Sequence, residues 1–356
     1  MTRSTARRRS LLGAALCCAL AATSAHAADD DARRTPRAAV MAPRASDALL
    51  LDIARAGDHW VVAGMRGDIL LSSDARQWRQ VTVPVDVTIT RLRFIDADNG
   101  WAIGYDGTIL QTRDGGSSWQ LLQFDPDWAK PYYDALFFDR DNGLLAGANG
   151  TLMRTDDGGR TLHAVESPAF EDGLNLYNLI RLGDDSLLLA GERGFLARST
   201  DRGASWQPLK SPYSGSYFGA LPVGDRGALI FGLRGNTFYA ADIGSAAVLT
   251  PEDIEAMRDA MFDPSGATGD ASPVTAVAGW TPLANDAFES LFGGQVTADG
   301  RILLFGSNGH VMQADLATAT LRRLPVEPDN NINAGAVDDG ALLIVGTAGV
   351  QRVPLN

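Results

Sequence analysis

The chain of 356 residues carries 31 lysines and arginines against 43 aspartates and glutamates, which gives a formal net charge of −12. This acidic balance argues against nucleic acid and anionic membrane surfaces as partners, because both bind a net basic face. Both cysteines, Cys17 and Cys18, fall within the first 27 residues, so the rest of the chain has neither thiol chemistry nor a disulfide.

Residues 1–27 have the three parts of a cleaved export signal. Four arginines precede an apolar stretch over residues 11–22, and Ala25-His26-Ala27 fits a signal-peptidase site. Cleavage between Ala27 and Ala28 would change the net charge from −12 to −16 and leave a periplasmic or secreted protein. The apolar stretch is shorter than the roughly 20 residues that span a membrane, and no later stretch is long and apolar enough. Arg8-Arg9 also fits a twin-arginine leader, so two export routes remain open.

A Gly-x-x-Gly repeat is the strongest signal in the sequence. Its seven copies begin at Gly64, Gly104, Gly147, Gly191, Gly232, Gly306 and Gly346. Successive copies are 40, 43, 44, 41, 74 and 40 residues apart, so one unit recurs with a single long gap.

Each repeat divides into four short segments of strand character. In the second copy these are residues 89–95, 101–104, 108–112 and 119–124, separated by Asp-, Asn- and Gly-rich turns. Four antiparallel strands in about 40 residues make one propeller blade. The sequence therefore predicts an all-β fold, a seven-bladed β-propeller over residues 45–356. Because the last repeat supplies only about three strands, residues 38–41 of the N-terminal segment 28–44 are expected to add the missing outer strand.

A Ser/Thr-x-Asp-x-Gly-x-x-Trp pattern, the Asp-box, marks the third turn of several repeats. Its acidic and hydroxyl side chains can bond turn N–H groups, and its aromatic ring can wedge between strands, which predicts a structural role. The residues concerned are Asp74, Asp114, Trp119, Asp157, Asp201 and Trp206. A calcium site is not expected, because the spacing lacks the alternating acids and terminal glutamate of an EF-hand loop.

The long gap predicts an insertion of about residues 249–283 in the connection between the fifth and sixth blades. Thr250-Pro251-Glu252-Asp253 combines an N-cap residue, proline at the first helical position and acids in the first turn. A short amphipathic helix is expected there, followed by a glycine- and proline-containing loop over residues 263–279.

Residues 94–119, with the run Gly104-Tyr105-Asp106-Gly107 and the Asp-box from Thr112 to Trp119, resemble the photosystem II stability/assembly factor family of BNR/Asp-box propellers. The resemblance extends over most of residues 45–240. It implies a non-catalytic seven-bladed propeller that acts as an assembly or stability factor on a membrane-protein partner, through a patch of arginines. Here arginine occupies the repeat turn only at Arg66, Arg193 and Arg234, so the implied patch is partial.

Strand order predicts which turns share a face. Turns after the second strand and loops after the fourth lie on one face, and the Asp-boxes lie on the other. The first face should therefore combine the turn arginines with aromatic loop residues, which is typical of binding hot spots, although about half of these rings are expected to pack between blades. The candidate binding residues are Arg66, Arg193, Arg234, Trp128, Tyr133, Tyr177 and Tyr217, with Asp134, Asn178, Glu289 and Asn333 expected around the mouth of the central channel.

An enzyme of the Asp-box glycoside hydrolase or sialidase type is the alternative, with Asp134 and Glu289 as its two carboxylates. The chain lacks a Phe/Tyr-Arg-Ile-Pro segment, and seven repeats differ from the usual six blades of sialidases. The three histidines outside the leader, His59, His163 and His310, lack ligand spacing, so neither a metal nor a cofactor is expected. No catalytic residue is assigned.

Overall fold

The computed structural model describes residues 35–128, 130–262, 274–326 and 330–355. The predicted export signal, its cleavage site and residues 263–273 of the predicted loop lie outside the described residues.

Within these described residues, twenty-seven strands form seven antiparallel sheets in chain order, which confirms the seven-bladed β-propeller. Blades one and two contain β1–β4 (Leu50–Ala56, His59–Gly64, Ile69–Ser72, Arg79–Gln80) and β5–β8 (Ile89–Phe94, Gly100–Gly104, Ile109–Thr112, Gln120–Gln123). Blades three and four contain β9–β12 (Tyr132–Phe137, Gly143–Gly147, Leu152–Thr155, His163–Ala164) and β13–β16 (Leu176–Arg181, Leu187–Gly191, Leu196–Ser199, Gln207–Pro208).

The remaining strands complete the ring. Blade five contains β17–β20 (Tyr217–Val223, Gly227–Gly232, Thr237–Ala240, Thr281–Pro282), and blade six contains β21–β24 (Leu291–Val296, Ile302–Gly306, Val311–Asp315, Thr320–Arg323). Blade seven has three strands, β25–β27 (Ile332–Asp338, Ala341–Gly346, Gly349–Pro354). The second strand of every blade is almost entirely buried, since it packs between neighbouring blades on both faces.

The predicted helix is present as α1, Pro251–Phe262. Thr250 and Asp253 exchange hydrogen bonds at its N-terminus, the N–H of Asp253 to the Thr250 hydroxyl and the N–H of Thr250 to the carboxylate. The insertion lies one strand earlier than predicted, between the third and fourth strands of blade five. After the helix the chain returns to pair Thr281 with Tyr239, and this pairing makes β20 the outer strand of the blade.

The predicted closing strand at residues 38–41 does not pair with blade seven. The N–H of Ala39 instead bonds the carbonyl of Val83 at 2.9 Å, beside the outer edge of blade one. Direct packing of blade seven on blade one closes the ring. Asn333 donates to the carbonyl of Leu50 at 2.8 Å, and the indole N–H of Trp60 donates to Asp338 at 3.3 Å.

Candidate functional site

The Gly-x-x-Gly turns of blades one to six place their third residue in the left-handed region, with φ between 52° and 57°. Asp106, Asn149 and Asn308 suit this conformation, whereas the Cβ and long side chain of an arginine do not. The three arginines at this position are Arg66 (φ 55°), Arg193 (φ 52°) and Arg234 (φ 57°). Arginine there costs backbone energy, a cost that Arg202 (φ 55°) also carries in an Asp-box turn on the opposite face. Positive φ therefore supports a binding role only together with the exposed groups that surround the three turn arginines.

The next blade holds the backbone of these turns in place. The N–H of Arg193 bonds the hydroxyl of Ser216 at 3.4 Å, and the N–H of Arg234 bonds the hydroxyl of Ser290 at 3.2 Å. Arg66 and Arg193 are exposed, and Arg234 is half-buried. Arg193 and Arg234 therefore occupy equivalent positions in neighbouring blades, four and five. Arg66 lies in blade one, three blades away from each of them around the ring.

Several exposed apolar side chains lie on the same face. Met65 and Tyr105 are the second residues of their Gly-x-x-Gly turns, and Tyr105 is 47% exposed. Phe288 precedes blade six and is 81% exposed, and Val274 of the insertion is half exposed. Exposed aromatic and apolar groups beside arginines favour protein binding at this face.

The first strand of every blade carries a bulge near its start, at the same register. The residue left unpaired is Tyr133, Tyr177, Phe218 or Phe292 in blades three to six. Consecutive rings are 5.2, 5.6 and 5.7 Å apart between centroids. We call these four half-buried rings, at the end of the channel nearer the Gly-x-x-Gly turns, the aromatic arc.

The aromatic arc carries no charge at neutral pH. Burial, with smaller contributions from the neighbouring Tyr177 and Tyr105, raises the pKa of Tyr133 to about 12. Burial likewise raises the pKa of Tyr177. Bulges commonly redirect a side chain next to a functional site. In blades three to six the redirected residue is an aromatic ring, and Phe218 and Phe292 line the channel cavity.

Two of the predicted channel-mouth residues have a structural role instead. Asp134 is completely buried, because Arg93 and the amide of Asn178 (2.7 Å) cover its carboxylate. Asn178 is buried too, and its side-chain oxygen accepts the backbone N–H of Ala220 at 2.8 Å. Each side chain thus fastens its blade to the next, and Asp134 has no exposed surface with which to contact a ligand from solution.

The other predicted residues lie as follows. The prediction of Tyr217 as a binding residue is wrong, because its ring is fully buried and belongs to the core of blade five. Its hydroxyl lies 2.9 Å from that of Ser211. Trp128 is half-buried against Tyr132, with centroids 5.2 Å apart. Glu289 lies 3.5 Å from the imidazole of His310. Asn333 is half-buried at the bulge of blade seven and closes the ring as described above.

An ion cluster on the channel wall was not predicted. Arg91 lies 3.6 Å from Asp52 and 3.7 Å from Asp134, and Arg93 binds Asp134 and the carbonyl of Ala135. Burial lowers the pKa of Arg91 while both carboxylates raise it, and the carboxylates prevail. Asp52 also accepts the backbone N–H of Leu92 at 2.8 Å. Aligning the first strands on their Gly-x-x-Gly turns would have placed Arg91 and Asp134 at one level, because each precedes the first glycine of its turn by 13 residues.

The Asp-boxes have the hydrogen bonds expected of structural turns. In the second repeat the hydroxyl of Thr112 donates to Asp114 at 2.8 Å and accepts the N–H of Gly116 at 2.9 Å. The indole of Trp119 donates to the carbonyl of Gly116 at 3.1 Å. Equivalent bonds occur around Asp157, Asp201 and Trp206, and the shortened box at Asp74 keeps its bond from Ser72.

Within residues 35–128, 130–262, 274–326 and 330–355, no cluster of three or more His, Cys, Asp and Glu side chains is arranged to hold a metal. No helix in that part of the chain has the length and hydropathy of a membrane span.

The model of the family described as "Photosynthesis system II assembly factor YCF48" matches residues 70–132 and 121–246. The chain belongs to this family of BNR propellers. The photosystem II assembly protein Ycf48 of Thermosynechococcus vestitus is 31% identical over 70 residues, which are 17% of this chain and 20% of that protein. The chloroplast stability/assembly factor HCF136 of Guillardia theta is 37% identical over 60 residues, 15% of each chain. The alignments thus span a fifth or less of these relatives.

A solved structure extends the likeness in fold to most of the chain. The structure titled "YCF48 bound to D1 peptide" superposes with a TM-score of 0.61 at 16% identity, over 91% of this chain and 96% of that one. At this identity the match establishes the shared fold. The family match includes three rings of the aromatic arc, Tyr133, Tyr177 and Phe218, and excludes Phe292 and helix α1.

Proposed function

We propose that this Ycf48-like propeller is an exported, non-catalytic assembly or stability factor that binds a membrane or envelope protein through the face of the Gly-x-x-Gly turns. The observation that carries the proposal is the coincidence, on one face, of arginines in a strained conformation with exposed apolar side chains. Arg66, Arg193 and Arg234 accept the cost of positive φ, although asparagine fills the same turn elsewhere without strain.

The aromatic arc adds rigid contact area to this face. Tyrosine and phenylalanine rings lose little conformational entropy on binding, and these four already support one another edge to face or tilted. A solved relative is titled as bound to a D1 peptide, which supports a protein segment as the kind of ligand.

The hydrolase alternative is not favoured. One of its two carboxylates, Asp134, has no exposed surface and is bound by Arg93, Asn178 and the N–H of Leu179. A glycosidase needs both carboxylates at the scissile bond, and a carboxylate fixed between blades cannot reach it.

The test is capture of cross-linked partners from the cell envelope by the mature protein. The triple variant Arg66→Gln, Arg193→Gln, Arg234→Gln should lose a captured membrane or envelope protein. The matched control is Arg76→Gln, Arg113→Gln, Arg202→Gln, which removes three exposed arginines from the Asp-box turns on the opposite face. Equal capture by both triple variants would contradict the proposed face, and the absence of any captured membrane or envelope protein would contradict the assembly role.

Export is tested separately. Mass spectrometry of the protein from a periplasmic fraction should give an N-terminus at Ala28, because Ala25-His26-Ala27 fits the signal-peptidase site. A protein that retains its first 27 residues in the cytoplasm would disprove this part of the proposal.

A further inference from the structure

A cavity of about 320 Å³ occupies the central channel beneath the aromatic arc. Phe218 and Phe292 belong both to the arc and to the cavity wall, so the cavity is continuous with the mouth on the Gly-x-x-Gly side. Its volume is at the lower end of the range of about 300–1,000 Å³ that is typical of small-molecule sites. The cavity is therefore large enough to bind a small molecule of its own.

The wall differs between the two sides of the channel. Blades one and two contribute Arg55, Arg91 and Arg93 together with Asp52. Blades five to seven contribute mainly glycine, alanine and three phenylalanines, Phe218, Phe231 and Phe292. A ligand in the cavity would contact cationic groups on one side and apolar groups on the other. This division favours an amphipathic ligand over a uniformly polar or uniformly apolar one.

The charged groups around the cavity leave one positive charge in excess. Asp338 binds Arg352 at 2.7 Å and lies 3.5 Å from Arg55, while Asp52 and Asp134 face Arg91 and Arg93. The cluster contains four arginines, Arg55, Arg91, Arg93 and Arg352. It contains three carboxylates, Asp52, Asp134 and Asp338. One monoanion would balance it, and in a partly enclosed site such a charge is worth more than in water.

Arg91 supplies an independent indication. Its side chain is only 18% exposed, and its buried Nε atom has no hydrogen-bond partner among the described residues. A buried donor without an acceptor costs about 1–3 kcal/mol, and more when the group is charged. The carboxylate oxygen Oδ1 of Asp134 lies 3.7 Å from this Nε atom, beyond hydrogen-bond distance. Because Arg91 lines the cavity, a ligand carboxylate would add a second acceptor beside its guanidinium, and the two groups match in geometry.

We propose that the channel cavity binds a small monocarboxylate with an apolar body. The carboxylate lies against the arginines of blades one and two, and the apolar body packs on Phe218 and Phe292. The volume accommodates roughly ten waters at about 30 Å³ each, which is the scale of an aryl or short alkyl acid. This site does not depend on the protein partner proposed above, since its ligand enters the channel rather than covering the face.

Isothermal titration of the mature protein with three probes of one shape tests the ligand class. The probes are 3-phenylpropanoate, 3-phenylpropan-1-ol and 3-phenylpropylamine, which differ only in the terminal group. We expect the carboxylate to bind at least tenfold more tightly than the alcohol and the amine not to bind. Equal affinity for all three probes, or no binding of the carboxylate at millimolar concentration, would overturn the proposal.

Arg55→Gln tests the charge without breaking the fold. Arg55 is 44% exposed, and its removal leaves Asp338 still paired with Arg352. The variant should lose tenfold or more in affinity for the carboxylate, and Arg55→Lys should restore most of it. The matched control is Arg181→Gln, at the equivalent register of blade four, which should bind like the wild type. An equal loss in both glutamine variants would indicate a general surface effect and refute the site.

Phe292→Ala tests the apolar wall. It should weaken the carboxylate and the alcohol by the same factor, because it removes ring contact and leaves the arginines in place. A selective loss of carboxylate binding, with the alcohol unaffected, would contradict the assigned orientation. A thermal melt of each variant verifies that the propeller is folded.

Discussion

The carboxylate of Asp134 in blade three accepts a 2.9 Å hydrogen bond from the backbone N–H of Leu179 in blade four. The same kind of link joins Asp52 to Leu92 (2.8 Å) and Gln295 to Val337 (2.9 Å) in other blade pairs. Innermost strands have no ladder partner on the channel side, so these side chains satisfy backbone groups that would otherwise be buried alone. The blades are thus joined by polar side chains as well as by apolar packing.

Asp134→Asn should strongly destabilise the propeller. The change removes the buried negative charge that Arg91 and Arg93 both contact. Breaking a buried ion pair typically lowers the free energy of unfolding by about 3–5 kcal/mol. Urea denaturation of the variant and the wild type measures the difference. Asp141→Asn, which alters an exposed turn of the same blade, should stay within about 0.5 kcal/mol of the wild type. A loss below 1 kcal/mol for Asp134→Asn would show that the cluster is dispensable.

Arg193→Asn should stabilise the protein while weakening partner capture. Asparagine tolerates positive φ better than arginine, so the variant should gain about 0.5–1 kcal/mol and melt at a higher temperature. The reciprocal change, Asn149→Arg, should lose a similar amount at the equivalent turn of blade three. If Arg193→Asn destabilised the protein, the arginine side chain would have to stabilise the fold, and its proposed binding role would lose its basis.

The blade count could be predicted because each blade repeats a turn that requires two glycines. At Gly67, for example, φ is 72° and a Cβ would lie 2.1 Å from the carbonyl of Val85, so the repeat is imposed by backbone geometry. The sequence could not separate Tyr217 from Phe218 in the same way. The bulge between them places one ring in the core and the other in the aromatic arc, and a bulge leaves no mark in the hydrophobic pattern.

The burial of Asp134 could not be predicted from the sequence either. Its partners Arg93 and Asn178 lie about 40 residues away on either side, in neighbouring blades. An acidic residue at the start of an innermost strand suggests a channel lining until those partners are known. Phe292 was missed because the family resemblance weakens beyond the insertion, although alignment on the Gly-x-x-Gly turns would have placed it beside the other rings.

Acid should destabilise the propeller through its turns. Hydrogen bonds from the Ser205 hydroxyl and backbone lower the pKa of Asp201 to about 2, below the value of about 3.9 for an unfolded aspartate. A lowered pKa in the folded state stabilises the protein fully above about pH 4, and this contribution is lost as the pH falls through 2. Melting temperatures between pH 2 and pH 5 should fall less steeply in Asp201→Asn than in the wild type. Parallel profiles would contradict this role.

Deletion of residues 28–43 tests how the ring closes. The segment contributes the buried Ala39 and its bond to Val83, together with the bond from the N–H of Ala42 to Gln80. Its loss should cost about 1–2 kcal/mol and leave one cooperative unfolding transition, because blade seven packs on blade one without it. Asn333→Ala, which removes the hydrogen bond to Leu50 at the closure itself, should cost a similar amount. A truncated chain that failed to fold would show that closure depends on the N-terminal segment after all.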